Sequence, residues 1–254
     1  MSEEQPHTVL RIGVMSDIHG NLEALTSVLA DIEAQKVSRV VNLGDIVGYG
    51  PEPEACVNLL RHLRIPSVLG NHEHGLVEAQ ARGWFNPQAR KALDRTRALL
   101  SDDTLMYFRT LPRTIEENGA LFVHGCPPGL VSKYLYELNV AELRETFALY
   151  THPLCFCGHT HELELVSLRP SAGGGDVRRD TIGKGRHGLD PKARHIVAAG
   201  AVGQPRDGNN KAKYVIWEPE RHRIEVRFVP YDIARTAARI VEVGLPSVYA
   251  DRLW

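Results

Sequence analysis

Cysteine is scarce in this chain of 254 residues: Cys56, Cys126, Cys155 and Cys157 are too few and too unevenly spaced for a disulfide framework. Reduced thiols are therefore expected. Charge of one sign is lacking too, because 30 lysines and arginines nearly balance 31 acids and leave a formal charge of -1. That balance gives no whole-molecule attraction to nucleic acid or to an anionic membrane. No apolar run approaches the roughly 18 residues of a membrane span, and the opening MSEEQPH has neither the basic start nor the apolar core of a secretory signal. A cytoplasmic protein without a membrane partner is the expectation. Repeats, heptads and linkers are missing as well, so residues 1–254 are expected to form one domain, and 43% hydrophobic content suffices for a sizeable core.

What is present is a series of apolar strands that end in polar loops. Val9 to Met15 reads as a strand, SDIHGN as a loop, and LEALTSVLADIEA as a helix by its three- and four-residue apolar spacing. RVVNLGDIVGYG repeats the strand and loop, and PEPEACVNLLRHL reads as a helix opened by proline. IPSVLGNHEHG reads as a third strand and polar loop, with helices near Pro87 to Leu100 and Thr104 to Thr110. Asn118-Gly119 in RTIEENGALFVHG marks a hairpin whose second strand also ends in a polar loop. A helix near Val140 to Leu149 precedes HPLCFCGHTH and the alternating ELELVSL. Residues 169–193, rich in glycine and charge, read as a flexible surface loop or hairpin. Strands are expected near Arg194 to Ala198, Lys213 to Glu218 and Ile224 to Val229, with a helix starting around Tyr231. Alternating strands and helices early, then hairpins late, predict an α/β (mixed α+β) fold of mixed sheets flanked by helices.

Just past the apolar strands stand Asp17, His19, Asp45, Asn71, His72, His124, His159 and His161. Adjacent strands lie roughly 5 Å apart, so residues scattered over the sequence can converge at one sheet edge. Each alone has a plain structural reading: Asp-X-His as a polar loop, Gly-Asp as a turn, a histidine after a strand as a hydrogen-bonded surface residue. Their common placement gives them weight. CFCGHTH, residues 155 to 161, admits a compact Cys/His zinc site, but it also divides at Gly158. On that second reading Cys155 and Cys157 point to one face of a strand and Phe156 to the other, and the two histidines leave for the loop edge.

The series SDIHGN, GDIVGYG, GNHE, VHG and GHTH resembles the calcineurin-like metallophosphoesterases over the whole chain, and GAVGQPRDGN suggests their small single-domain prokaryotic branch. The resemblance implies a four-layer αββα sandwich of two mixed sheets with helices outside. It implies that Asp17, His19, Asp45 and His161 hold one metal, that Asp45, Asn71, His124 and His159 hold a second, and that Asp45 bridges them. His72 would face the scissile phosphate as general acid. Carboxylate, amide and imidazole donors suit Mn²⁺, Fe²⁺, Zn²⁺ or Ni²⁺, with Mn²⁺ the first expectation. Two such ions roughly 3.5 to 4 Å apart can clamp a phosphate and acidify a bridging water. The implied function is hydrolysis of a small phosphate ester, nucleotide-like esters among the candidates, with a diester preferred because two metals and one acid suffice for it. A phosphomonoesterase acting on nucleotides or proteins, a catalytically silent metal-binding scaffold and a nucleic-acid module are the alternatives; the last lacks the expected basic excess.

Protein phosphatases and symmetric dinucleoside tetraphosphatases carry Gly-Asp-X-X-Asp-Arg-Gly, whereas this chain has GDIVGYG, with Gly48 and Tyr49 where an acid and a phosphate-gripping arginine would stand. Either substrate class is thereby in doubt. Tyr49 lines the pocket and stacks on a ring, or packs within its loop. Arg206 in GQPRDGN supplies the missing positive charge, or tips a charged hairpin. Glu73 orients His72, or is a helix N-terminal acid. His74 is expected at the surface. Arg178, Arg179, Lys184 and Arg186 guide an anionic substrate, or form a solvated loop.

Overall fold

The computed structural model describes residues 9–171 and 175–254, so the MSEEQPH stretch and residues 172–174 of the expected surface loop lie outside the described residues. Among the described residues eleven strands form two sheets, with helices α1 (Leu22–Ala34), α2 (Pro53–His62), α3 (Asn71–Val77), α4 (Ala79–Arg82), α5 (Pro87–Ala98), α6 (Asp102–Thr110), α7 (Val140–Ala148), α8 (Ile233–Glu242) and α9 (Val248–Asp251) around them. The first sheet is built from β1 (Ile12–Met15), β2 (Arg39–Asn42), β8 (Gly185–Gly188), β10 (Ala212–Glu218) and β11 (Arg223–Val229), in the order β2-β1-β10-β11-β8. The second has β3 (Thr114–Glu117), β4 (Ala120–Val123), β5 (Leu154–Cys157), β6 (Leu163–Arg169), β7 (Asp176–Thr181) and β9 (Arg194–Ala199), in the order β3-β4-β5-β9-β6-β7.

Alternation along the strands explains the layers. Ile12, Val14, Phe122, Leu154, Phe156 and Val197 point between the sheets into one core. Met15, Tyr214 and Ile216 face outward against Leu25 and Val28 of α1 and Phe108 of α6. Leu121, Val123, Cys155 and Cys157 face the other way, against Leu143 and Phe147 of α7. The result is the expected αββα sandwich, with the three parallel pairings (β1 with β2, β4 with β5, β5 with β9) side by side in the two sheets.

A charged clamp fixes α1 to its sheet. Asp31 of α1 accepts two bonds from Arg227 of β11, at 2.9 and 3.0 Å, and one from the Tyr214 hydroxyl of β10 at 2.7 Å. Burial works to raise the Asp31 carboxyl, but the Arg227 and Tyr214 hydrogen bonds hold it below its ordinary value. Its contribution is therefore present above the unfolded pKa near 4 and fades as pH falls through the lower folded one. Asp31→Asn is expected to cost about 1 kcal/mol at neutral pH, after allowance for solvent screening, and the difference from wild type should shrink below about pH 4 in urea titrations.

Three expectations need correcting. The third strand at IPSVLG reduces to one bridge, Asn42 to Ser67, because Pro66 has no N–H to extend the ladder along β2. GNHEHG is no loop but the start of α3, so Asn71 and His72 occupy its first turn. Of the two readings of residues 169–193, the hairpin is the one seen: β7 pairs with β6, while β8 crosses to the other sheet and pairs with β11. His74 is buried, 7% exposed, against the tilted ring of Trp84.

Candidate metal centre

The loops that follow the parallel strands gather all seven expected ligands at one edge of the sandwich. Asp17 and His19 follow β1, Asp45 follows β2, His124 follows β4, and His159 and His161 follow β5, while Asn71 comes from the first turn of α3. Each is at most 8% exposed. Asp17, His19, Asp45, His159 and His161 all hold left-handed backbone, with φ between 50° and 67°. That conformation costs a non-glycine residue on the order of 1 kcal/mol, and such strain concentrates at functional sites.

The protein sets the imidazoles through main-chain carbonyls. His19 Nδ1 donates to Val47 O at 3.0 Å, His124 Nδ1 to Leu43 O at 2.8 Å, and His161 Nδ1 to Gln204 O at 2.6 Å. A carbonyl can only accept, so Nδ1 carries the proton in each neutral ring and Nε2 presents a lone pair to the centre. These lone pairs face other acceptors. Nε2 of His19 and His161 are 3.1 Å apart, and His124 Nε2 is 2.9 Å from Asn71 Oδ1. His159 Nε2 and Asp17 Oδ1 are buried without any hydrogen-bond partner.

Asp45 stands between the two groups. Its Oδ2 lies 3.7 Å from His19 Nε2, 3.4 Å from His124 Nε2 and 4.0 Å from His72 Nε2, and its Oδ1 accepts the His72 N–H at 2.9 Å. Asp17 Oδ1 is 3.2 Å from His161 Nε2, while Oδ2 accepts the His159 N–H. Asp17, His19 and His161 form one ligand group, and Asp45, His124 and His159 another. Burial works against charge on Asp17 and Asp45, but the neighbouring imidazoles, His161 for the first and His124 and His72 for the second, hold both carboxyls well below their usual range. Burial pushes His72 down to about 4 and His159 to about 3. In His124 burial is outweighed by the Asp45 carboxylate, which lifts the ring to about 9, so a cation bound there would displace a proton. Paired acceptors, lone pairs without donors and N/O donors alone fit divalent cations.

His72 packs between aromatic rings, edge-on to Tyr49 at 4.5 Å and to Phe85 at 5.2 Å. Its Nδ1 is buried without a partner, and Gly48 explains why: a Cβ there would lie 2.0 Å from that nitrogen, and Gly48 has φ +93°. The glycine of GDIVGYG thus makes room for the imidazole instead of offering it a carboxylate. Glu73 does not orient His72. Its carboxylate accepts N–H bonds from Asp45 at 2.9 Å, Val47 at 3.0 Å and Gly70 at 3.1 Å, tying the Asp45 loop to α3. No motif announced that role, although an acid at the third helical position is a capping pattern.

Tyr49 is packed, not free to stack, since its ring lies 4.7 Å from both His19 and Tyr249. Tyr134, which the sequence did not single out, stacks on His159 at 3.8 Å and on Tyr136 at 4.8 Å. Beside Asn71 and His159 opens a cleft of about 150 Å³ walled by Tyr49, Trp84, Phe85 and Tyr134. Arg206 bonds its main-chain N–H to His161 O at 3.2 Å, and its guanidinium neighbours the Tyr134 phenol of the cleft wall. Three of the four basic residues of the 169–193 segment are tied to carboxylates: Arg178 to Asp180, Arg179 to Glu164 and Arg186 to Glu225.

CFCGHTH divides as its strand pattern implies. Cys155 and Cys157 are fully buried against α7 on the outer face, Phe156 lies between the sheets, and all four cysteines are free thiols. Gly158 serves close approach, since a Cβ there would lie 1.8 Å from Ser16 Oγ. Replacing Cys155 and Cys157 together by alanine is expected to cost about 1 to 3 kcal/mol of stability and to leave metal stoichiometry unchanged by elemental analysis. Metal loss in the double variant would restore the compact Cys/His site.

A sandwich of two mixed sheets that gathers buried carboxylates and imidazoles at strand ends defines a metal-dependent hydrolase. The sequence of residues 10–222 matches the calcineurin-like phosphoesterase superfamily domain, and the chain belongs to that family. It is 35% identical over 248 residues to an uncharacterised protein of Methanocaldococcus jannaschii, covering 96% of this chain and 97% of that one. The crystal structure of a metallophosphoesterase from Sphaerobacter thermophilus superposes with a TM-score of 0.81 at 37% identity, covering 97% and 98% of the two chains. Serine/threonine-protein phosphatase 2 of Escherichia coli is 30% identical over 147 residues, 54% of this chain and 66% of that protein.

Proposed function

We propose that the protein hydrolyses phosphodiesters with two divalent cations, manganese the favoured pair, bound in the two ligand groups that share Asp45. The observation that carries this reading is the pair of N/O ligand groups, His19 with His161 and His124 with Asn71, on either side of one carboxylate. Asp17, His19, Asp45 and His161 would hold one ion, and Asp45, Asn71, His124 and His159 the other. Bound there, the ions supply Lewis acidity for the phosphoryl oxygens and an acidified water as nucleophile.

The remaining roles belong to side chains. His72, beside Asp45 yet held by aromatic rings, is the acid that protonates the leaving oxygen; the ring is neutral in the free protein, and the substrate's negative charge raises its affinity for the proton. Arg206 grips a non-bridging oxygen. The aromatic cleft beside Asn71 and His159 accepts a planar ester group, which favours small aryl or nucleotide-like substrates. Tyr49 at the position of the phosphatase arginine argues against protein substrates, and the four free thiols support a reducing, cytoplasmic setting.

The test compares bis(4-nitrophenyl) phosphate with 4-nitrophenyl phosphate, using protein loaded with Mn²⁺. A higher kcat/KM for the diester is expected. Equal or greater monoester turnover shifts the reading to a phosphomonoesterase, and hydrolysis of neither ester nor of a nucleotide panel sinks it.

A further inference from the structure

Lys213 of β10 is a cation in a costly place. Its residue is fully buried, the one lysine or arginine so placed among the described residues, and its strand neighbours Ala212, Tyr214, Val215 and Ile216 are buried too. An ammonium there needs a compensating partner, and a buried ion pair returns little net stability over an apolar residue of the same size. The Lys213 ammonium binds the Asp207 carboxylate at 2.6 Å and the carbonyl of Asn209, and lies 5.0 Å above the ring of Phe228.

Those partners are the tip of the segment that wraps the metal centre. Leaving β9, the chain donates Val202 N–H to Ser16 O at 2.9 Å and Gly203 N–H to Asp17 O at 2.8 Å, orients His161 through Gln204 O, and bonds Arg206 N–H to His161 O. It returns to β10 where Lys213 N–H meets Ala201 O at 2.9 Å. Arg206 therefore sits between two fixed points, the His161 carbonyl before it and the Lys213 pair after it. Asp207 is the acid next to Arg206 in the chain, and its carboxylate is taken by Lys213; among the described residues Arg206 forms no ion pair with it. The groups that feel the Arg206 charge are phenols, those of Tyr49, Tyr134, Tyr136 and Tyr249.

We propose that Lys213 is a positioning residue for substrate binding: by taking Asp207 it fixes the 206–209 tip and leaves the Arg206 guanidinium free to grip the substrate's phosphate. This rests on the phosphoesterase reading given above for the same site. No covalent step is involved. The consequence is a coupling in one direction, in which Lys213 matters to phosphate only through Arg206.

A double-mutant cycle on the metal-loaded full chain tests it, with inorganic phosphate affinity by calorimetry and KM and kcat for bis(4-nitrophenyl) phosphate as readouts. Arg206→Ala is expected to weaken phosphate binding and raise KM by about 10- to 100-fold, the range for a charge-assisted hydrogen bond, with metal content intact. Lys213→Met should raise both by roughly 5- to 10-fold with kcat within about twofold, and Lys213→Arg should recover part of the loss. In the Arg206→Ala background Lys213→Met should add nothing. An equal penalty in both backgrounds, or unchanged phosphate affinity in Arg206→Ala, overturns the proposal. Should Lys213→Met fail to fold, Lys213→Gln, which keeps most of the side-chain volume and a donor for the Asn209 carbonyl, runs the same cycle. The phosphate titration is independent of turnover, so a chain that binds phosphate through Arg206 yet hydrolyses no ester overturns the enzymatic reading and leaves this one standing.

Discussion

Asp45→Asn should empty the centre of metal while leaving the fold intact. The carboxylate is the one side chain that approaches both ligand groups, with Oδ2 within 3.7 Å of His19 and 3.4 Å of His124. Asparagine keeps the shape and still offers an oxygen to the His72 N–H, so the start of α3 keeps its acceptor. It removes the negative charge, and a neutral amide oxygen is a poor bridge between two cations. Removing a residue that merely orients a ligand costs about 10- to 100-fold in metal affinity, and the loss of a shared ligand should exceed that range. Elemental analysis should show both ions depleted, turnover should fall in parallel, and the far-ultraviolet spectrum should be unchanged. Retention of full metal content would remove Asp45 from the bridge.

His72→Ala should give the opposite division. The ring touches Asp45 only at 4.0 Å, its Nδ1 has no partner, and Tyr49 and Phe85 hold it as part of an aromatic wall. Loss of a general acid lowers turnover by roughly 100- to 10,000-fold. Metal content should stay within error of wild type, and esters with good leaving groups, which need little protonation, should lose least. His72 also falls within reach of a ligand group with His19 and Asp45, so metal loss equal to that of Asp45→Asn would make it a ligand and not the acid.

The contrast between these two variants follows from residues that were legible in the sequence. Apolar runs that end in Asp-X-His, Gly-Asp and Gly-His-X-His put those donors at strand ends, Asn-His opens a helix after an apolar run that forms only one bridge, and the structure brings all of them together. Strand alternation likewise separated Cys155 and Cys157 from the histidines. What stayed hidden is what the backbone does. The carbonyls of Leu43, Val47 and Gln204 that set three imidazoles carry no signature, because any residue has a carbonyl. The Glu73 bonds to three amides depend on a loop and a helix meeting, which spacing does not encode. The glycine and charge of residues 169–193 left a loop and a hairpin both open, and what decides for the hairpin is tertiary: Arg179 of β7 is half-buried and finds Glu164 on the neighbouring strand, a pairing local composition does not encode.

The left-handed backbone at Asp17, His19, Asp45, Tyr49, His159 and His161 bears on how such a protein ages in evolution. Glycine would relieve the torsional cost at any of these positions, on the order of 1 kcal/mol each. Selection for stability alone would therefore erode the centre one residue at a time. A lineage that no longer needed the chemistry would drift toward glycine there and become sturdier as it fell silent. This chain carries a side chain at all six positions, and with them the local torsional cost that the centre imposes.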